Sequence, residues 1–233
     1  MTSKPEELVV LVTGATGIAG RAACSALAAA GHQVIAVARD ADSLAALSAD
    51  RVDAKSVDLA DAAAVLTLAT SVRERYGAID GLVHLVGGWR GGEGFTTNTD
   101  EDWAFLSSNL IDTLRHATQA VHDDLVASRC GRAVIVSATA AAKPTAGNAN
   151  YATAKAAAEA WLRALADSLR RNQSGRKDNP LPQTSAAVIL VIKAIGDAAG
   201  FTPAEALASR IAGLFDADAD ELNGARIDLT TAP

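Results

Sequence analysis

In "ANYATAK", Tyr151 and Lys155 stand four positions apart. On a helix that spacing puts both side chains on one face. A free tyrosine titrates near ~10 and is a poor base at neutral pH. A lysine ammonium beside it favours the phenolate and lowers that value, which suits the phenol to proton transfer. The same pair also fits the first turns of an ordinary surface helix. A second candidate is "TGATGIAG", residues 13–20, where Gly14, Gly17 and Gly20 are spaced by three. Small residues between a strand and a helix let backbone N–H groups approach a pyrophosphate, whose charge the helix N-terminus favours. A tight structural turn is the competing reading.

The end of the second strand bears on which nucleotide would bind. "VARD" puts Ala38 where an acid would hold the ribose 2′-OH of NAD. Arg39 follows, with a fixed fork of donors suited to a 2′-phosphate. NADP (NADPH) is the predicted cofactor and NAD the less favoured one, against a merely solvated Arg39. Asp58 is expected to meet the adenine ring, with a helix N-cap as the alternative.

Positioning these residues takes an alternation of short apolar runs and Ala-rich stretches. Strands are expected at 8–13, 33–38, 55–59, 79–87, 131–138, 185–192 and 224–230. Helices are expected at 20–31, over "DSLAALSA", and at 61–77, 100–128, 149–172 and 202–215, the last with Thr202 as N-cap and Pro203 at N1. Strands apolar on every residue, separated by helices, predict a parallel sheet covered on both faces. The fold class is α/β, a single Rossmann-type doubly wound sheet of about seven strands, one domain over 1–233. Residues 170–184, polar with Gly and Pro, are expected to form an exposed, mobile loop.

Composition narrows the function classes. Hydrophobic residues make up 49% and charged ones 21%, a globular balance. The net charge of -6 argues against nucleic-acid and anionic-membrane partners. Cys24 and Cys130 make neither a disulfide framework nor a metal spacing. His32, His84, His116 and His122 lack paired acids or ligand spacing and read as structural or solvated. "DADADE" lacks the glycine and closing acid of an ion loop, so no metal is expected. The N-terminal apolar run is too short for a signal peptide, and a cytoplasmic location is expected.

The ordered set of landmarks resembles the short-chain dehydrogenase/reductase family over nearly the whole chain. The landmarks are "VTGATGIAG", Asp58, "GLVHLVGG", Asn109 in "LSSNL", Ser137 in "VIVSA", and "YATAK". The resemblance implies a catalytic set of Asn109, Ser137, Tyr151 and Lys155. Tyr151 would exchange a proton with a carbonyl or alcohol oxygen, and Ser137 would hydrogen-bond that oxygen. Lys155 would hold the nicotinamide ribose, and Asn109 would support a water chain to Lys155. A strand-end serine and a polar helix asparagine are the plain alternatives for Ser137 and Asn109. By the same resemblance the cofactor would touch Gly14, Thr16, Gly17, Ile18, Gly20, Arg39, Asp58, Leu59, Val86, Gly87, Tyr151 and Lys155. Homodimers or homotetramers are implied, built on the helices at 100–128 and 149–172.

Departures from the family pattern are local. Ile18 stands where its shorter members carry Gly, and His84 and Leu85 replace paired asparagines. "IKAIGDAAGF" replaces the Pro-Gly segment after the sixth strand, making Lys193 a candidate contact there, or a solvated lysine. "VGGWRGGEGF" and "IDLTT" are similar to the dihydropteridine reductases, in which Trp89 would face a flat ring. An NADP(H)-dependent carbonyl or alcohol oxidoreductase is the first expectation. A pteridine or quinonoid dihydropterin reductase is the alternative. A non-catalytic cofactor-binding sensor or scaffold is the reading from another class.

Overall fold

The computed structural model describes residues 7–230. Its elements alternate from strand to helix. They are β1 (Val9–Thr13), α1 (Ile18–Ala29), β2 (Gln33–Ala38), α2 (Ala41–Ala45), β3 (Val52–Ser56), α3 (Ala62–Tyr76), β4 (Gly81–His84), α4 (Asp100–Ser107), α5 (Thr113–Ala127), β5 (Gly131–Ala138), α6 (Ala149–Asn172), β6 (Ser185–Ile192), α7 (Ala204–Gly213), α8 (Ala219–Leu222) and β7 (Arg226–Asp228). All strand pairings are parallel, in the order β3-β2-β1-β4-β5-β6-β7.

The all-apolar strands fill two cores because successive residues point to opposite faces. Leu11, Ile35, Leu82 and Ile135 pack under α3, α5 and α6. Val10, Val34, Val83 and Val134 pack under α1, α7 and α8. The strand order reverses between β1 and β4, and the C-terminal edge at such a switch point is where this architecture binds ligands.

Several boundaries differ from expectation, each for a physical reason. β3 lies at 52–56 rather than 55–59. It is the sheet edge, and Asp53 there is polar because it takes Arg75, Tyr76 and Lys55 as partners. β4 stops at His84, and residues 85–87 leave the sheet to pass the glycine turn. The stretch 100–128 is not one regular helix: a π-helical turn, Ser108–Asp112, separates α4 from α5 at Asn109. The helix expected from 202 begins at Ala204 with Pro203 at the N-cap position, because the Thr202 backbone is held by Ala194 and Gly196. β7 keeps only 226–228 of the strand expected over 224–230.

The segment 170–184 is tied down rather than free along its length. α6 continues to Asn172, and the next residue, Gln173, is buried. Its amide nitrogen donates to the Val126 carbonyl and the hydroxyls of Thr184 and Ser185. Its amide oxygen accepts from the Thr184 and Ser185 N–H groups. Residues 176–182 are exposed, as expected for the loop.

Candidate active site

The glycine turn follows β1 and opens a crevice of about 540 Å³ at the switch point. Gly14 has φ +71, and a Cβ there would lie 2.6 Å from the Leu85 carbonyl oxygen. A Cβ on Gly20 would overlap the Gly14 carbonyl, so Gly20 serves the close approach of α1 to the turn. Gly17 is the N-cap of α1 and makes no side-chain cap bond, leaving first-turn N–H groups for a ligand. The turn fits a pyrophosphate: small residues, bare backbone and a twelve-residue helix behind it.

Gly14, Thr16, Gly17, Arg39, Asp58, Leu59, Val86, Gly87 and Asn109 all line this crevice. Ile18 does not; it is 74% exposed on the outer side of α1. Arg39 is exposed and its guanidinium makes no ion pair among the described residues. Asp40, its neighbour, is already engaged. Its carboxylate caps α2 and accepts from the Ser43 hydroxyl, and that bond holds its carboxyl below the usual range. The N-cap of α3 is Asp61, not Asp58. Asp58 Oδ1 accepts the Ala60 N–H at 3.0 Å, which holds its side chain at the crevice wall.

Tyr151 and Lys155 lie on one face of α6, with the Lys155 Nζ 5.9 Å from the Tyr151 ring centroid. The ring packs with Leu106 and Leu110, which flank Asn109 in sequence, and this brings the pair beside the crevice. Lys155 Nζ donates to the Val136 carbonyl at 2.8 Å. Burial pushes the Lys155 ammonium down to about 8. It pushes the Tyr151 phenol up, so the lowering expected from Lys155 does not outweigh burial here.

Ser137 points into the layer between β5 and α6. It follows Ala133 and Ile135 on the α6 face of β5, is 1% exposed, and donates to Glu159 Oε1 at 2.6 Å. A serine has one hydroxyl proton, and this one is committed to a carboxylate. That partner is a side-chain carboxylate on α6, neither a substrate oxygen nor the local backbone expected of a strand-end serine.

Asn109 and His84 sit in one hydrogen-bonded chain. Thr113 Oγ1 donates to the Asn109 carbonyl at 2.6 Å, so it must accept from His84 Nε2, 3.2 Å away. His84 Nδ1 then accepts the Thr13 hydroxyl proton at 2.8 Å. Burial first, and Lys155 second, push His84 down to about 3, so it is a neutral structural imidazole. The chain ties the end of β1 to the π-turn that presents Asn109.

The short chain dehydrogenase profile matches residues 8–173, from β1 through Gln173. The chain belongs to the short-chain dehydrogenase/reductase family. It is 30% identical over 165 residues to the 3-oxoacyl-(acyl-carrier-protein) reductase FabG of Salmonella typhimurium, covering 69% of this chain and 67% of that one. The short-chain reductase protein NovJ of Streptomyces niveus is 36% identical over 171 residues, covering 70% and 64%. A short chain oxidoreductase from Pseudomonas aeruginosa PAO1, described as NADPH-bound with an atypical catalytic centre, superposes with a TM-score of 0.81 at 18% identity, covering 98% and 99%. That likeness is one of fold.

The chain is thus an oxidoreductase of this family, built on the family's doubly wound architecture. Among the described residues no helix is long and apolar enough to cross a membrane, and no cluster could hold a metal. Lys193 is exposed, with its Nζ 5.7 Å from the Phe201 ring centroid. Glu159, Arg226 and Thr113 were not singled out from the sequence. Glu159 did leave a signal, as an acid inside the stripe of Ala158, Leu162 and Leu165 that α6 buries.

Proposed function

We propose that the chain is an NADP(H)-dependent oxidoreductase acting between a carbonyl and an alcohol. The observation that carries this reading is the Tyr151–Lys155 pair, with its buried lysine, beside a crevice that fits a dinucleotide. A bound nicotinamide cofactor supplies the hydride. Tyr151 donates the proton to the substrate oxygen in reduction and removes it in oxidation. Lys155 holds the nicotinamide ribose and orients the phenol. Asn109, at the π-turn, supports proton return to Lys155. The 3-oxoacyl reductase among the relatives supports a carbonyl as the group reduced.

Arg39 is the proposed partner of a 2′-phosphate, since Asp40 is engaged in its own helix cap. Gly14, Thr16, Gly17, Asp58, Leu59, Val86 and Gly87 are proposed as the remaining cofactor contacts. Parallel titrations with NADPH and NADH, read by nicotinamide fluorescence, test this. Tighter NADPH binding that is lost in Arg39→Ala is the expected result. Preference for NADH would sink the Arg39 argument, and binding of neither would favour the sensor or scaffold reading.

A second reading, reduction of a pteridine or quinonoid dihydropterin, is favoured by one observation. Trp89 is 63% exposed while its six-membered ring rests on Gly91, where a Cβ would lie 2.7 Å from it. One aromatic face is thereby held for a flat substrate. Assaying quinonoid dihydropterin beside simple ketones separates the two readings. A cytoplasmic homodimer or homotetramer is the proposed working form.

A further inference from the structure

Glu159 lies one helical turn beyond Lys155 and two beyond Tyr151, on the same side of α6. It is 4% exposed. Oε1 accepts the Ser137 hydroxyl at 2.6 Å, and Oε2 accepts Arg163 at 2.7 Å and Arg226 Nε at 3.0 Å. Lys155 in turn donates to Val136, the residue before Ser137. The ammonium and the carboxylate are therefore anchored on consecutive residues of β5. A carboxylate buried this deeply needs partners, and it has three.

We propose that Glu159 is a positioning residue for proton transfer at Tyr151: its carboxylate is the counter-charge that keeps Lys155 protonated, and Arg226 sets how much of that charge Lys155 feels. This rests on the Tyr151–Lys155 reading above. The groups facing the cluster are Tyr151 and Arg163 from α6, Ser137 from β5, Arg226 from β7 and His84 from β4. His84 is neutral between two threonines, and Ser137 carries no charge. Arg163 and Arg226 carry charge of the same sign as the ammonium and both pair with Glu159, which is the anion of the cluster that favours a proton on Lys155. Burial has already brought the lysine near working pH, where a modest change of field alters its charge.

The two sides of the cluster should act with opposite sign. Removing the carboxylate in Glu159→Gln should lower the Lys155 midpoint by about one pH unit. Removing a guanidinium in Arg226→Gln should raise it by a similar amount. The measurement is the ¹³Cε shift of Lys155 against pH in the full chain, assigned by its loss in Lys155→Met. The alkaline limb of NADPH-dependent turnover should move in the same two directions. Glu159→Gln should then lose about fivefold in turnover at pH 8 and less than about twofold at pH 6.

Midpoints that stay put in both variants, or move the same way, overturn the proposal. So does a uniform loss of turnover at every pH, the mark of a structural role. If Glu159→Gln does not fold, the upward shift in Arg226→Gln decides alone. The resonance needs no turnover, so the two readings fail separately. Opposite midpoint shifts in the two variants, with no activity in the wild type, would reject catalysis by Tyr151 while leaving the charge coupling of Glu159 to Lys155 in place.

Discussion

Tyr151 can be tested by removing one atom. Tyr151→Phe keeps the ring that packs with Leu106 and Leu110 and loses only the proton it would transfer. Turnover should fall by about 10²–10⁴-fold, the usual worth of a positioned acid or base. NADPH affinity, read by fluorescence, should stay within about threefold, because the crevice walls are untouched. Lys155 carries a second prediction. Its pKa falls from 10.5 in the unfolded chain to about 8 when folded. Below pH 8 both states are charged and the cost of burying the charge is present in full. Between about 8 and 10.5 the unfolded chain binds more protons, so this cost is relieved as pH rises. Lys155→Met should therefore be inactive and more stable than wild type at pH 7 by about 1–2 kcal/mol, allowing for the side chain's partial exposure. Denaturant unfolding at pH 7 and pH 10 should show that gain shrinking. Tyr151 and Lys155 were legible because helical spacing fixes a shared face. For Ser137, sequence distance to Tyr151 cannot say which face of β5 the side chain takes. The alternation of Ala133, Ile135 and Ser137 into the α6 core settles it.

Among the elements, the strands and helices of the sheet core were read correctly where apolar runs are uniform, as in β2, β5, β6 and α6. Reading failed where tertiary partners override composition. β3 is polar because its edge position offers Asp53 three cationic or hydroxyl partners. The π-turn at Asn109 has no local sequence cause; it is held by Thr113 and, through it, by His84. The segment after α6 looked free because its composition is that of a loop. One buried amide, Gln173, reverses that at its two ends. Gln173→Ala should leave the Thr184 and Ser185 N–H groups and the Val126 carbonyl without this partner, costing about 2 kcal/mol or more. Native-state hydrogen exchange should show faster exchange at Thr184 and Ser185, while the amides of β1 lose protection only by the global change. Unchanged rates at both sites would mean that solvent replaces the glutamine at no cost.

For the whole molecule, the sheet order concentrates chemistry at one edge and leaves the outer surface of α5 and α6 without a covering layer. That surface holds a groove lined by Thr118, His122, Trp161, Ala164, Leu165 and Ser168. Trp161 spends its polar atom inside the chain, donating to Thr118 Oγ1 at 2.9 Å, and His122 is held by Ser168. What the groove presents is therefore mainly apolar ring and aliphatic surface, the kind of patch that a symmetric contact buries. Two such grooves meeting about a two-fold axis would pair α5 and α6 with their copies. Ala164 is exposed at this surface and touches nothing that the single chain needs for folding. Ala164→Arg should keep the secondary structure and cofactor binding while placing a charge on each side of the contact. Light scattering should report a dimer or tetramer for the wild type and a smaller species for the variant at micromolar concentration. Turnover should fall with dissociation, because α6 carries Tyr151 and Lys155 and loses its outer support. A wild-type monomer would remove the oligomer from the proposal, and an unchanged mass in the variant would move the contact to another face.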